Sequence, residues 1–328
     1  MSKKLPIEVS LVILPLLLFF LSIYLGRYPI NPFIITRPLS YNEYVIIFLI
    51  RMPRVLIAMS VGAALSISGA TLQGTARNPL VGPEILGVSS GAAFGAALAI
   101  VFLDSAGPVF IQVSAFLFGL VAVFLAYSIS KSLRGYGSSI LTMILAGIAI
   151  SAMFSALVGI LKYMADPYEK LPAIVFWLLG SFAASGWQDV INVLPMLFIG
   201  IVVMVLLRWR INILSLGEEE AKALGLNYER TRMILIAAAS LATAASVAIS
   251  GIISWIGLIV PHMTRKLVGP NHKVLIPASL SVGAMFMVLC DNLARTLTPF
   301  EIPISIVTSL IGAPVFLFLL KMRGKQRW

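Results

Sequence analysis

Residues able to do chemistry are scarce in this sequence, and the densest group of them stands in one place. Residues 215–230 read Ser-Leu-Gly-Glu-Glu-Glu-Ala-Lys-Ala-Leu-Gly-Leu-Asn-Tyr-Glu-Arg, the longest charged stretch of the chain, set between two long apolar segments. Ser215 with Glu218 three residues on forms a capping box. Glu219 and Glu220 suit the positive end of a helix dipole, and Gly225 can close the last turn in a left-handed conformation. The expectation is a short helix of about nine residues lying outside the membrane. Leu216, Ala221 and Leu224 fall on or near one face, with Leu226 just beyond, while Glu218, Glu219 and Lys222 face elsewhere: the pattern of a small docking surface. From these residues alone a solvated loop is an equal reading.

The other reactive groups are isolated. A P-loop needs Gly-Lys followed by Ser or Thr at the end of a glycine-rich loop, but the only Gly-Lys here, Gly324-Lys325, is followed by Gln326. Catalysis of ATP hydrolysis by the chain itself is therefore excluded, no catalytic residue is assigned, and nucleotide energy has to come from another chain. Cys290 is the single cysteine and lies in an apolar run, so it reads as a small buried side chain. His262 stands near a helix end, as a satisfied interfacial residue does. Asp291 has Arg295 one helical turn on as its partner. The spans offer no cluster of His, Cys, Asp or Glu that would hold a metal, so neither a metal site nor a bound cofactor is expected.

These residues have to be held by a membrane scaffold. Of 328 residues 59% are hydrophobic and 11% charged, with a mean hydropathy of +1.01. Repeated apolar runs near the length that a hydrocarbon core of about 30 Å demands predict an all-α polytopic membrane protein, since these runs lack the alternation of barrel strands. The net charge of +11 comes from basic residues set singly or in pairs between apolar runs, which marks loops on one side of a bilayer and not a nucleic-acid surface. Ten spans are expected, near residues 9–26, 51–73, 85–103, 109–130, 140–161, 190–207, 233–250, 251–265, 274–293 and 302–320. Residues 171–181 are apolar but too short to cross, and read as a re-entrant or surface helix. The chain is one transmembrane domain, 1–328, with the docking loop at about 214–230.

With the N-terminus inside, most of the 24 Lys and Arg residues fall on the inner side, which makes both termini and the docking loop cytoplasmic. Arg51, Arg54 and Arg295 are among those left outside. Ile67-Ser-Gly69 recurs as Ile249-Ser-Gly251, and Leu80-Val-Gly-Pro83 as Leu267-Val-Gly-Pro270. Spans two to five then correspond to spans seven to ten in the opposite orientation, an inverted repeat of the kind found in transporters. An ion-coupled secondary carrier would share that construction. Such carriers keep an acidic or histidine side chain inside a span, and the apolar runs here are bare.

Several ordered blocks carry a resemblance. Arg51-Met-Pro-Arg54, Gly62-Ala-Ala-Leu-Ser-Ile-Ser-Gly69, Arg77-Asn-Pro-Leu80, Leu86-Gly-Val-Ser-Ser-Gly-Ala92, Leu145-Ala-Gly-Ile-Ala-Ile-Ser151, Trp177-Leu-Leu-Gly-Ser181, Gly257-Leu-Ile-Val-Pro-His262, Glu301-Ile-Pro-Ile-Ser-Ile-Val-Thr308 and Gly312-Ala-Pro314 are similar to the permease subunits of iron-siderophore, haem and cobalamin ABC importers, the FecCD type. The resemblance implies ten helices per subunit, a homodimer with the pathway on its two-fold axis, and residence in the cell (inner) membrane. It also implies two cytoplasmic ATPase subunits that bind the ATP and magnesium, and an external substrate-binding protein. It makes residues 214–230 the coupling element, with Ser215, Leu216, Glu218, Ala221, Leu224, Gly225 and Leu226 held in a cleft of the ATPase. It places an inner gate at Asn78, Leu80, Ser138 and Ser139, and a docking pocket for the binding protein at Arg51, Arg54 and Arg295, where guanidinium suits the gripping of carboxylates. Similar permeases carry ferric siderophores, haem, cobalamin, or molybdate and tungstate, so the substrate stays open.

Overall fold

The structure, a computed structural model, describes residues 4–28, 30, 39–103, 107–132 and 139–323. Among these residues there are helices and connections and no strand. Six helices are long and apolar enough to cross a bilayer: Tyr41–Ala76, Pro108–Ser132, Leu141–Met164, Trp187–Leu206, Tyr228–Ser250 and His272–Thr296. Shorter apolar helices, Val9–Tyr24, Val88–Phe102, Lys170–Leu179 and Ile304–Leu319, complete the bundle.

The first helix, α1 (Lys4–Tyr24), is followed by one that starts earlier than its sequence suggests. Ser40 and Glu43 make a capping box for α2 (Tyr41–Tyr44), which runs through a π-turned stretch, Val45–Arg51, into α3 (Met52–Ala76). The wide turns end where Pro53, which has no N–H to give to the ladder, enters the helix. Residues 41–50 were expected to belong to a polar connection, yet a π-turn carries the helix up to this proline and joins them to the span.

Helix α3 is the axis of the fold. It is buried along nearly its whole length, which in a membrane requires small residues and close helix approach more than bulk. A Cβ on Gly69 would overlap the Gly257 backbone of α12 (Ile256–Val268), and one on Gly62 the Gly283 backbone of α13 (His272–Thr296). Backbone cannot swing aside as a side chain can. Gly69→Leu is therefore expected to destabilise the detergent-solubilised protein by about 3 kcal/mol, read as a lowered unfolding midpoint. Gly159→Ala, in α6 (Ser139–Met164) with nothing near its added Cβ, should leave the midpoint unchanged or raise it.

Against this axis also pack α8 (Trp187–Leu206) and α11 (Tyr228–Ser250), while α4 (Val88–Phe102) and α5 (Pro108–Ser132) pack on each other and on α11, and α14 (Ile304–Arg323) packs on α12 and α13. Thr243, Ser246 and Ser250 of α11 donate to carbonyls four residues back, which satisfies their hydroxyls inside the bundle. In two of the stretches expected as spans the helix itself is short. α12 has 13 residues and is preceded by irregular backbone at 251–255. α4 has 15 and is preceded by a turn and a 3-10 segment, Pro83–Leu86. The short α7 (Lys170–Leu179) stands where a non-crossing helix was expected. Ser181 donates to the Ser250 carbonyl and Ile304 to that of Gly180, tying the end of α7 to the ends of α11 and α14.

Candidate functional site

At one end of the bundle the chain leaves α8 through α9 (Arg208–Leu214) and enters α10 (Glu218–Ala223). The helix is six residues long and is capped by Gly217, whose φ of 138° a side chain would strain. The expected capping box of Ser215 and Glu218 is not formed. Ser215 is consumed by the end of α9, its N–H donating to Ile211 and its hydroxyl to the Asn212 carbonyl at 2.7 Å. Gly225 does adopt the left-handed conformation, with φ 77°.

The apolar residues of this element divide. Ala221 is fully buried and anchors the helix, and Leu226 is half-buried against the core. Leu216 and Leu224 remain 55% and 62% exposed. Lys222 pairs with Glu218 at 2.7 Å, and that hydrogen bond raises the lysine pKa. What the element offers a partner is two exposed leucines on a charged, firmly seated turn.

The seat is polar and tight. Ile211 and Leu214 of α9 are fully buried, and a Cβ on Gly74 of α3 would meet Ile211 and His272. Asn212 donates to Asn271 at 2.9 Å and accepts from the His272 N–H at 2.9 Å, so α9 is fastened to the start of α13. Arg265 of α12 donates to Gln73, which donates to the Leu258 carbonyl and so binds α3 to α12. Beside α10, the Nη1 of Arg77 lies 3.4 Å from where Gly217 would carry a Cβ.

Arg77 ends α3 in the left-handed conformation, and the turn after it contains two of the expected gate residues. Asn78 Oδ1 accepts from Leu80 N–H at 2.9 Å, and Leu80 is half-exposed. The structure therefore brings Asn78, Leu80 and the docking element to the same end. Ser139 opens α6, whereas Ser138 lies outside the described residues.

The three arginines expected in an external pocket stand at the opposite end, and all three are buried. Arg51 donates to the carbonyls of Ile23, Tyr24 and Tyr28, closing the end of α1. Arg54 grips Asp291, with bonds of 2.8 to 3.2 Å, and Glu301 at 2.8 and 3.0 Å. Arg295 donates to Ser22 O at 2.6 Å and to Asn292, and stands 3.7 Å from Asp291. Helix-end carbonyls and the buried Asp291 claim these groups from within the chain, and Arg51 and Arg54 point to different partners. The exposed edge of the cluster is Glu301.

One carboxylate was overlooked in the sequence. Glu84 sits in the 3-10 segment and is exposed, while Val81, Gly82, Pro83, Leu86 and Gly87 around it are buried. It stands beside the backbone of Trp255, the residue that caps α12 with a φ of 75°.

A family model described as the FecCD transport family matches residues 13–322. The chain belongs to the FecCD transport family. The molybdate import system permease protein MolB of Haemophilus influenzae is 48% identical over 271 residues, 83% of this chain and 79% of that protein. A probable iron chelatin transport system permease protein of Helicobacter pylori is 42% identical over 295 residues, 90% of this chain and 88% of that one. A solved structure, described as an inward-facing conformation of a metal-chelate type ABC transporter, matches with a TM-score of 0.89 and 42% identity, covering 97% of this chain and 99% of that one. FecCD membership makes this chain a multi-pass membrane permease subunit of an ABC-type importer, with ATP hydrolysis lying in partner subunits. An external binding protein is also a partner that the FecCD family implies.

Proposed function

We propose that this permease works as a homodimer which carries an intact metal chelate, such as a ferric siderophore, haem or cobalamin, inward through the membrane. α10 transmits the movements of two cytoplasmic ATPase subunits. The observation that carries the reading is the seating of the exposed Leu216 and Leu224: they ride on α9, which is locked against Gly74 of α3 and His272 of α13. A push on α10 is thereby a push on the central helix. Arg77, beside Gly217, joins the same element to the Asn78–Leu80 turn, which we read as the inner gate together with Ser138 and Ser139.

The termini and α10 lie on the cytoplasmic side in this reading, because that arrangement gathers the basic residues inside. The likeness of length between α3 and α11, α4 and α12, and α5 and α13 supports ten crossings built from an inverted repeat. The binding protein would settle over the Glu301 end, where Arg51, Arg54 and Arg295 brace the landing surface from beneath. A molybdate or tungstate permease is the second reading, favoured by the identity to MolB.

Proteoliposomes holding the complete complex test the function. Uptake of a ferric chelate is expected only with ATP on the α10 side and the binding protein on the other. Uptake driven by a proton or sodium gradient without ATP would replace the proposal with a secondary carrier.

A further inference from the structure

Glu84 occupies a depth that its place in the sequence conceals. α3 has 25 residues and spans about 37 Å, and a Cβ on Gly257 would meet both the Leu65 carbonyl, near the middle of that helix, and the ring of Pro83. On the other side, a Cβ on Gly147 of α6 would meet the Ile85 carbonyl, while one on Gly87 would touch Ile150 and Ser151, the midpoint of a 26-residue helix. Both neighbours place Glu84 near half depth. After α3 ends at Ala76 the chain folds back into the membrane before α4 begins.

An exposed carboxylate at that depth cannot face hydrocarbon, where an Asp at a helix centre costs about 2.5 to 3.5 kcal/mol. Two irregular stretches, 77–87 and 251–255, meet beside it, and unpaired backbone survives at membrane depth only when buried in protein or lining a water-filled cavity. The opening that Glu84 faces is therefore aqueous. Its carboxylate also stands beside the backbone of Trp255 at the start of α12. The N-terminus of a helix interrupted at mid-membrane is a place where an anion would otherwise settle. Glu84 brings a carboxyl group of the protein to that position.

We propose that Glu84 is a specificity-determining residue of the translocation pathway, admitting cargo that presents positive charge or hydrogen-bond donors and opposing bare oxyanions. The inference rests on the importer reading and deepens it: of the two substrate classes, it selects the metal chelate over molybdate or tungstate.

The test needs no identified cargo. Ser151→Cys, partly exposed and on the face of α6 that meets Gly87, serves as a reporter in the complete complex, with the buried Cys290 silent and checked by omitting the reporter. Rates are measured with a cationic trimethylammonium methanethiosulfonate and an anionic sulfonate one. Glu84→Gln is expected to lower the cationic-to-anionic rate ratio about tenfold, the size of a charge interaction across about 6 Å of water acting with opposite sign on the two reagents. Glu84→Asp keeps the charge and should keep the ratio. If Glu84→Gln fails to assemble, Glu84→Ala supplies the neutral comparison. An unchanged ratio overturns the proposal, as does a reporter that neither reagent reaches. Failure of ATP-driven uptake with the ratio still shifting would instead remove the importer reading and leave the selectivity of Glu84 standing.

Discussion

Arg54→Met is expected to destabilise the permease by about 3 kcal/mol, because it leaves Asp291, which is 1% exposed, without its bidentate partner. Arg295 remains 3.7 Å away and recovers only part of the loss. Glu301 is tolerant, since its side chain is about one-third exposed and water can replace the guanidinium there. Arg54→Lys should behave more like the methionine than like wild type, as an ammonium cannot satisfy two carboxylates with a planar fork. Combining Arg54→Met with Asp291→Leu should restore only part of the stability, because removing both charges removes their desolvation cost but leaves the buried Arg295 without its carboxylate. The measurement is the unfolding midpoint in detergent. A single Arg54→Met variant as stable as wild type would show that the charges are solvated and the burial unimportant. The same loss should loosen α1, whose last carbonyls are held by Arg51 and Arg295 on either side.

Leu224→Asp should leave the permease folded and reduce ATP-driven uptake at least about tenfold, a coupling loss of about 1.4 kcal/mol. Leu224 is 62% exposed, so its replacement costs the isolated chain little. Hydrolysis by the partner ATPase should persist, since the chemistry is not in this chain, but it should no longer drive transport. Ala221→Asp is the contrasting variant. Ala221 is fully buried, so a carboxylate there has to expel the helix from its seat, and it should damage assembly itself. Normal uptake by Leu224→Asp in proteoliposomes would show that the exposed leucine does not engage the ATPase.

Composition and pattern were sufficient for much that depends on local chemistry. Apolar runs of membrane length, the breakers at Gly225 and between residues 77 and 83, and the charged island at 215–230 all produce their structures through interactions within a few residues, or with a bilayer that any apolar helix would meet. The family followed from ordered motifs for the same reason, since each block is a contiguous piece of packing surface. The short α7 was legible because ten apolar residues cannot cross a hydrocarbon core.

What the tertiary structure alone decided concerns groups whose partners are distant in the chain or that have two local partners to choose between. Arg54 meets Asp291 across 237 residues, and nothing near Arg54 in the sequence distinguishes a presented guanidinium from a buried one. Ser215 could cap α10 as readily as close α9, and the competition was settled by the end of α9, which takes both its N–H and its hydroxyl. Glu84 shows the limit most plainly. In linear order it is a charged residue in a connection rich in proline and glycine, the usual mark of a solvated turn. Only the packing of Pro83 on Gly257 and of Ile85 on Gly147 carries that turn back to the middle of the membrane, because depth is a property of what a segment packs against and not of which spans it joins.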